Sequence, residues 1–358
     1  MAPKNLQLKR SNSRKRSPAN NQIHCECCIL VMKTFKQSVA ARVPRNEADD
    51  KQMRMTKLED HVDLIDVETA GFENFIASYV LKGKSTAIVE TGPTSSVPNL
   101  LSGLKKLGVK LEDVAYVAVS HIHLDHGGGA GTLLKSLPNA KVIVHQKGAP
   151  HLANPEKLWQ QSREVLGKIT ELYGEPEPVP LERIIVAEEG MTFDLGKNVK
   201  LRVVETLGHA SHHQSYYETL GRGLFPGDAA GIYLREFDTI VPTTPAPFRL
   251  DTALASLDKL ISLKPRALYY SHFGEASNPV GRLQAYAEQL RLWSKIARQG
   301  MEEKRSFEEV RQKIIESDDQ IRKAVKFIEA HSVLNETVLN NSVQGFMQFA
   351  EKHSSGQP

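Results

Sequence analysis

Val114-Ala-Tyr-Val-Ala-Val119-Ser-His121-Ile-His123-Leu-Asp125-His126-Gly-Gly-Gly129 is the stretch on which the fold turns. Its first six residues are apolar and rich in β-branched side chains, the pattern of a buried strand. The strand runs straight into three histidines and an aspartate within six residues, and glycines follow. Such a cluster belongs in a loop at the carboxyl end of a sheet, where sites on α/β folds collect. In extended backbone, residues two apart point to the same side, so His121 and His123 can clasp one ion while the following turn swings Asp125 and His126 toward a second. Imidazole and carboxylate donors without thiolate suit zinc, iron, manganese or cobalt. A lone histidine is more often structural than ligating, but this density at a strand end outweighs that reading.

Working outward, residues 62–68, 74–82 and 86–90 are short β-rich runs separated by turn residues, as in an antiparallel meander. A helix is expected from Val97 to Leu107, with Leu100, Leu101, Leu104 and Leu107 on one face and Gly108 as its stop. After the glycine run come a helix, a strand Lys141–His145 and a helical insertion around 155–172. Strand-like runs at 199–205, 213–219 and 223–227 then precede a helix at 251–263 and a strand Ala267–Tyr270 that leads to His272. Two mixed sheets between helices, a four-layer αββα sandwich of the α/β class, is the simplest assembly of this order.

Residues 56–279 therefore read as one domain, and 280–358 as a C-terminal helical module. Leu283, Ala287, Leu290 and Ala297 share a face ahead of Gly300, Ser306-Phe-Glu-Glu309 forms a capping box, and Ile321, Val325 and Ile328 repeat the spacing. The module is expected to pack on the domain. Covering the site or making a homodimer contact would suit the same pattern.

Residues 1–55 carry 12 Lys/Arg against 4 Asp/Glu, which leaves 34 against 38 for residues 56–358 of the 46 and 42 in the chain. The net charge of +4 therefore belongs to the tail, and the body is mildly acidic. An acidic body argues against a nucleic-acid surface, which calls for a basic stripe. The tail is expected to be disordered, because it has too little apolar surface to offset ordering entropy. Met53 and Met55 make a start further along the chain an alternative. Cys25, Cys27 and Cys28 are the only cysteines and match no zinc-ribbon spacing. No disulfide framework is expected in the body. With no apolar run of spanning length and no secretory pattern, the expected location is cytoplasmic and away from membranes.

The chain resembles the metallo-β-lactamase superfamily, whose first metal motif is His-x-His-x-Asp-His. Thr206-Leu-Gly-His209-Ala-Ser-His-His213-Gln-Ser is similar to that family's third motif, Phe225-Pro-Gly-Asp228 to its fourth and Ser271-His272-Phe-Gly274 to its fifth. The resemblance implies that His121, His123 and His209 hold one divalent ion, that Asp125, His126 and His272 hold another, and that Asp228 bridges them. Zinc is the first choice, with iron or manganese as alternatives. Two such ions about 3.5–4 Å apart can share a water, lower its pKa and polarise the bond it attacks. Asp125, beside that water, is the candidate for moving a proton to the leaving group.

Two positions depart from the family pattern. Glu90 stands where the family usually has Asp before Thr-Gly, in a role supporting the metal loop. His212 stands beside His213 where many members have Gly; His213 is a candidate supporting or substrate-contacting residue, and His212 an exposed or supporting one. Glu205 and Tyr216 are weaker supporting candidates.

The expected reaction is hydrolysis of a small ester, lactone or thioester, as in the glyoxalase-II-like and lactonase-like branch, with β-lactam turnover as a side activity. Gln214-Ser215 is similar to the lactonase third motif. Lactonases of that group often place Tyr three residues after the bridging Asp, a position held here by Gly231, so Tyr233 is the nearest candidate for touching a carbonyl oxygen. A metal-dependent ribonuclease or phosphodiesterase of the same fold is the alternative. A non-catalytic metal-binding scaffold is a third reading, which a complete ligand set disfavours.

Overall fold

The apolar run that ends at His121 becomes the fifth strand of a seven-stranded mixed sheet. The computed structural model describes residues 55–331 and 333–354; the basic tail and its cysteine cluster lie outside the described residues. Strands β1 (Met55–Glu59), β2 (Val62–Asp66), β3 (Ala77–Lys82) and β4 (Thr86–Val89) form an antiparallel meander. Strands β5 (Val114–Ala118), β6 (Lys141–His145) and β7 (Ile184–Ala187) continue it in parallel.

Parallel neighbours require crossovers. Helix α1 (Val97–Lys106) joins β4 to β5, and the short helices α2 (Leu124–Gly127) and α3 (Ala130–Leu134) join β5 to β6. Helices α4 (Ala149–Ala153), α5 (Glu156–Leu166) and α6 (Ile169–Tyr173) join β6 to β7.

The second sheet has six strands in the order β15-β14-β11-β10-β9-β8: β8 (Thr192–Gly196), β9 (Val199–Glu205), β10 (Gln214–Glu218), β11 (Gly223–Phe225), β14 (Ala267–Tyr270) and β15 (Gly274–Ala276). Strands β12 (Ile232–Leu234) and β13 (Thr239–Val241) form a separate ribbon, and α7 (Leu250–Ser262) precedes β14. The two sheets bury a common core in which Leu64, Tyr79 and Ile143 of the first meet Leu201, Tyr216, Phe225 and Tyr269 of the second. Buried tyrosines need partners for their hydroxyls, and here those partners tie the sheets together. Tyr216 donates to the carbonyl of Val119 at 2.9 Å and Tyr79 to that of Tyr270 at 2.5 Å. With helices on the outer faces, this is the four-layer sandwich expected from the order of elements.

Strands β1, β7, β8, β12, β13 and β15 had no clear signal in the sequence. All are three to five residues long, too short for period-two alternation to register, and β8 is half exposed at a sheet edge.

Four helices follow among the described residues: α8 (Pro279–Glu302), α9 (Phe307–Ser317), α10 (Asp319–Ala330) and α11 (Asn341–Ser354), with a π-helical turn at Leu334–Asn340. Helix α8 continues past Gly300, which packs against Val310 of α9. The Ser306–Glu309 capping box forms with both reciprocal bonds. These helices share one apolar core with the sandwich. No helix among the described residues is long and apolar enough to cross a membrane.

Asp318 is the buried hub of the helical segment. One carboxylate oxygen caps α10 through the amides of Gln320 and Ile321, and the other accepts from Trp293 Nε1 at 2.7 Å and Gln289 Nε2 at 2.8 Å. Removing the carboxylate would strand two buried donors as well as a helix start. Asp318→Ala should therefore lower the unfolding free energy by about 3 kcal/mol or more, read from urea denaturation; a change below about 1 kcal/mol would contradict this role.

A second buried acid organises the loop from β2 to β3. Asp66 accepts the amides of Glu68 at 3.0 Å and Asn74 at 2.8 Å. Burial nevertheless pushes its carboxyl up to about 6, against the pull of those two donors. The folded chain thus holds a proton that the unfolded chain releases near pH 4, so the Asp66 contribution to stability falls as pH rises from about 4 to about 6. Asp66→Asn removes this slope. Relative to the parent, the unfolding free energy of the variant should rise by up to about 3 kcal/mol between pH 4 and pH 7; a pH-independent difference in urea midpoints would count against it.

Candidate metal centre

Strand β5 ends at Ala118, and Val119, Ser120 and His121 carry the chain across the sheet's carboxyl edge. Helix α2 then starts at once, so Asp125 and His126 turn back toward His121. The remaining histidines and Asp228 arrive from the second sheet: His209 follows β9, Asp228 follows β11, and His272 follows β14. Each donor stands just beyond a strand end, and the packing of the two sheets brings the ends together.

Three groups of donor atoms result, each within 4.8 Å: His121, His123 and His209; His121, His126 and Asp228; and Asp125, His126 and His272. His123 Nδ1 lies 2.8 Å from His121 Nε2 and 3.0 Å from His209 Nε2. His272 Nε2 lies 3.5 Å from Asp125 Oδ2. His126 Nε2 and Asp228 Oδ1 face each other at 3.3 Å, both buried and neither hydrogen-bonded.

The outward ring nitrogens explain the inward ones. His209 Nδ1 donates to the carbonyl of Thr243 at 2.8 Å, and His272 Nδ1 to that of Phe75 at 3.0 Å. A ring that donates at Nδ1 presents a lone pair at Nε2, so both rings are set as ligands. His121 Nδ1 meets Ser120 Oγ at 2.9 Å. Lone pairs converging from these imidazoles, with orphaned nitrogen and oxygen atoms among them, fit a divalent cation.

The electrostatics agree. Burial and neighbouring imidazoles hold His121 and His123 well below the usual histidine range, so both are neutral donors. Burial works against the charge on Asp125, but His126 and His272 outweigh it and keep the carboxyl below its usual range. Burial likewise disfavours protonated His126, yet Asp228, Asp125 and Glu90 outweigh it and push the ring up to about 10.

Glu90 sits directly behind this group, 1% exposed. Its carboxylate accepts from Ser271 Oγ at 3.0 Å and the amide of Ser120 at 3.3 Å, and lies 3.4 Å from His126 Nδ1. It therefore joins the first-motif loop to the His272 loop. Its φ of 67° is left-handed, which costs an ordinary residue roughly 1–2 kcal/mol. The conformation is held by the Glu90 amide donating to the Ala118 carbonyl and by Ser78 Oγ donating to the Glu90 carbonyl.

His213 is fully buried and not in contact with solvent. Its Nε2 accepts the amide of Asp228 at 3.0 Å and its Nδ1 meets Thr206 Oγ1 at 2.9 Å, so it fixes the Asp228 turn. His212 is half-buried, its ring 5.5 Å from that of His123 and 6.1 Å from that of His121. Glu205 meets His145 at 3.1 Å, and Tyr216 pins the end of β5.

Tyr233 runs beside the His272 loop, its amide donating to the His272 carbonyl and its carbonyl accepting the Phe273 amide. Its hydroxyl donates to Asp238 at 2.8 Å and its ring lies under Arg282. The neighbouring position 231 has no room for a tyrosine. Gly231 has φ +79°, and a Cβ there would meet Ile240 Cγ2 at 2.7 Å and the Tyr286 ring at 2.9 Å. Thr243 and Phe75 escaped notice in the sequence, and Thr206 and Ser271 stood in the quoted motifs without a role of their own. Thr243 and Phe75 act through backbone carbonyls, which leave no trace in side-chain identity.

The model of the metallo-β-lactamase superfamily matches residues 71–272, which spans every donor described above. The chain belongs to that superfamily and carries the donor set of a metallo-hydrolase. It is 32% identical over 211 residues to the metallo-beta-lactamase fold-containing protein ST1585 of Sulfurisphaera tokodaii, across 58% of this chain and 76% of that one. It is 26% identical to the probable metallo-hydrolase MJ0888 of Methanocaldococcus jannaschii, across 37% of this chain and 57% of that one. The solved structure of ST1585 superposes with a TM-score of 0.56 at 29% identity, covering 64% of this chain and 85% of that one. The metallo-beta-lactamase family protein TTHA1429 of Thermus thermophilus superposes equally well, at 0.56 with 19% identity over 78% and 89%, a likeness of fold.

Glu90→Gln keeps the shape of the side chain but replaces an acceptor oxygen with a donor, so Ser271, Ser120 and His126 can no longer all be served. Metal affinity should fall by about 10–100-fold, measured by competition with a chromogenic chelator. Unchanged affinity would show that Glu90 only fills space.

Proposed function

We propose that the chain is a binuclear metal-dependent hydrolase that cleaves a small ester, lactone or thioester by attack of water on the carbonyl carbon. The observation that carries this reading is the placement of Asp228. Its Oδ2 lies 3.6 Å from His209 Nε2, while Oδ1 lies 3.3 Å from His126 Nε2 and 4.0 Å from His272 Nε2. One carboxylate oxygen thus faces each half of the donor cluster, as a bridging ligand would.

In this reading His121, His123 and His209 would hold one ion and Asp125, His126 and His272 the other, with Asp228 shared between them. The nitrogen and oxygen donors favour zinc, with iron or manganese as alternatives. Bound there, a pair of divalent ions supplies Lewis acidity and lowers the pKa of water. Asp125, half-buried at the cluster, takes up the proton of the attacking water and delivers it to the leaving oxygen or sulfur. Glu90 and His213 hold His126 and Asp228 in place. The substrate class rests on charge as well. Residues 56–358 carry 34 basic against 38 acidic residues, a surface that does not replace the counterions of a polyanion.

Purified enzyme should contain about two transition-metal ions per chain, and Asp228→Ala should lower both metal content and kcat/KM. The loss of rate should be about 100-fold or more. Across a panel of lactones, thioesters, cephalosporins, phosphodiesters and RNA, the highest kcat/KM should fall on an acyl compound. Salt-sensitive RNA cleavage that exceeds every acyl activity, persists without residues 1–52 and is lost in His121→Ala would instead make the chain a nuclease.

A further inference from the structure

The family match ends at residue 272, yet the two histidines that arrive from the second sheet are oriented by carbonyls that the C-terminal helices hold. His209 donates to the Thr243 carbonyl, and Thr243 is bracketed by Ser342 at the start of α11. The Ser342 hydroxyl donates to the Pro242 carbonyl at 2.8 Å and accepts the Thr244 amide at 3.0 Å. Helix α11 also touches this loop through Gly345, where a Cβ would fall 1.9 Å from the Thr244 carbonyl oxygen. Ser342 is 1% exposed, and its position is tied on both sides of the residue that orients His209.

His272 is served in a parallel way. It donates to the Phe75 carbonyl, and the Phe75 ring stands edge-on to His272 at 5.2 Å. The other side of Phe75 is stacked on His331, 5.6 Å between centroids and 21° between planes, directly after α10. Phe72 closes on the same ring at 5.0 Å. His331 is 4% exposed, so its contacts are made inside the protein.

We propose that the C-terminal helices form part of the metal centre, with Ser342 and His331 as positioning residues. Ser342 fixes the carbonyl that orients His209, and His331 fixes the ring and carbonyl of Phe75 that orient His272. One helical segment thereby sets one ligand in each half of the cluster. The inference rests on the ligand assignment proposed above. It goes further by making residues outside the family match set the affinity of each half separately.

The test uses the full chain, stripped of metal and titrated with zinc by calorimetry, in two backgrounds that each remove a ligand from one half. With His272→Ala, which keeps the His121, His123 and His209 set complete and takes one ligand from the other, adding Ser342→Ala should weaken the tightest zinc by about tenfold, while His331→Ala should leave it unchanged. With His209→Ala the pattern should reverse. Losses of this size are those of other groups that orient metal-bound histidines, and comparison across backgrounds separates local from general effects. Ser342→Thr and His331→Phe, which retain the hydroxyl and the stacked ring, should restore affinity to within about twofold. Should an alanine variant fail to fold, Ser342→Cys and His331→Leu preserve volume and carry the same expectation. Equal losses in both backgrounds, or affinity unchanged in a folded variant, would overturn the proposal. The zinc stoichiometry of the parent tests the binuclear reading independently of these comparisons.

Discussion

Five imidazoles and two carboxylates aim their donor atoms at one another, and they cannot satisfy each other. Carboxylates accept only, and neutral imidazoles offer one lone pair and one N–H each. His209 and His272 have already given their N–H to backbone carbonyls, so both turn a lone pair toward the two carboxylates. A group of this kind is costly to bury unless a cation or protons offset it. The sheets, the loops between them and the glutamate behind them all serve to hold that arrangement against its own repulsion.

The sandwich does this by geometry. Strands from both sheets end at the same edge of the layered core, so short excursions beyond strand ends deliver donors to one place without a long loop. Tyr216 and Tyr79, whose hydroxyls reach carbonyls near the ends of β5 and β14, fix the offset between the sheets. Glu90 then links the loop of one sheet to the loop of the other, since Ser120 and Ser271 both donate to its carboxylate. The backbone at Glu90 is left-handed. Its strain is set against the polar contacts its carboxylate makes with Ser120, Ser271 and His126.

Supporting contacts decide which atom of each ring faces inward. His213, buried between Thr206 and the Asp228 amide, takes the place of a ligand in appearance but acts on the turn that carries one. His212, its sequence neighbour, lies half-buried against His121 and His123, where burial and nearby imidazoles bring it down to about 4. It is therefore neutral near pH 7 and adds no positive charge to the mouth of the cluster. Tyr233 and Asp238 make a pair, with Arg282 of α8 over the ring.

The dense His-x-His-x-Asp-His run after an apolar strand was legible because it is local: six residues carry four donors, and the strand before them has a strong apolar pattern. The resemblance extended this to His209, Asp228 and His272, and the long helices and well-patterned strands followed from periodicity. Short edge strands were not legible, because three to five residues carry too little pattern. Nor were Thr243, Phe75, Ser342 or His331, which lie far in sequence from the ligands they affect, two of them acting through backbone atoms that every residue possesses. Tyr233 shows the converse limit. Its place along the chain suggested a role at the reaction centre, and the partners of its side chain depend on what packs around it. Asp238 and Arg282 claim the hydroxyl and ring, and only the tertiary fold brings them there.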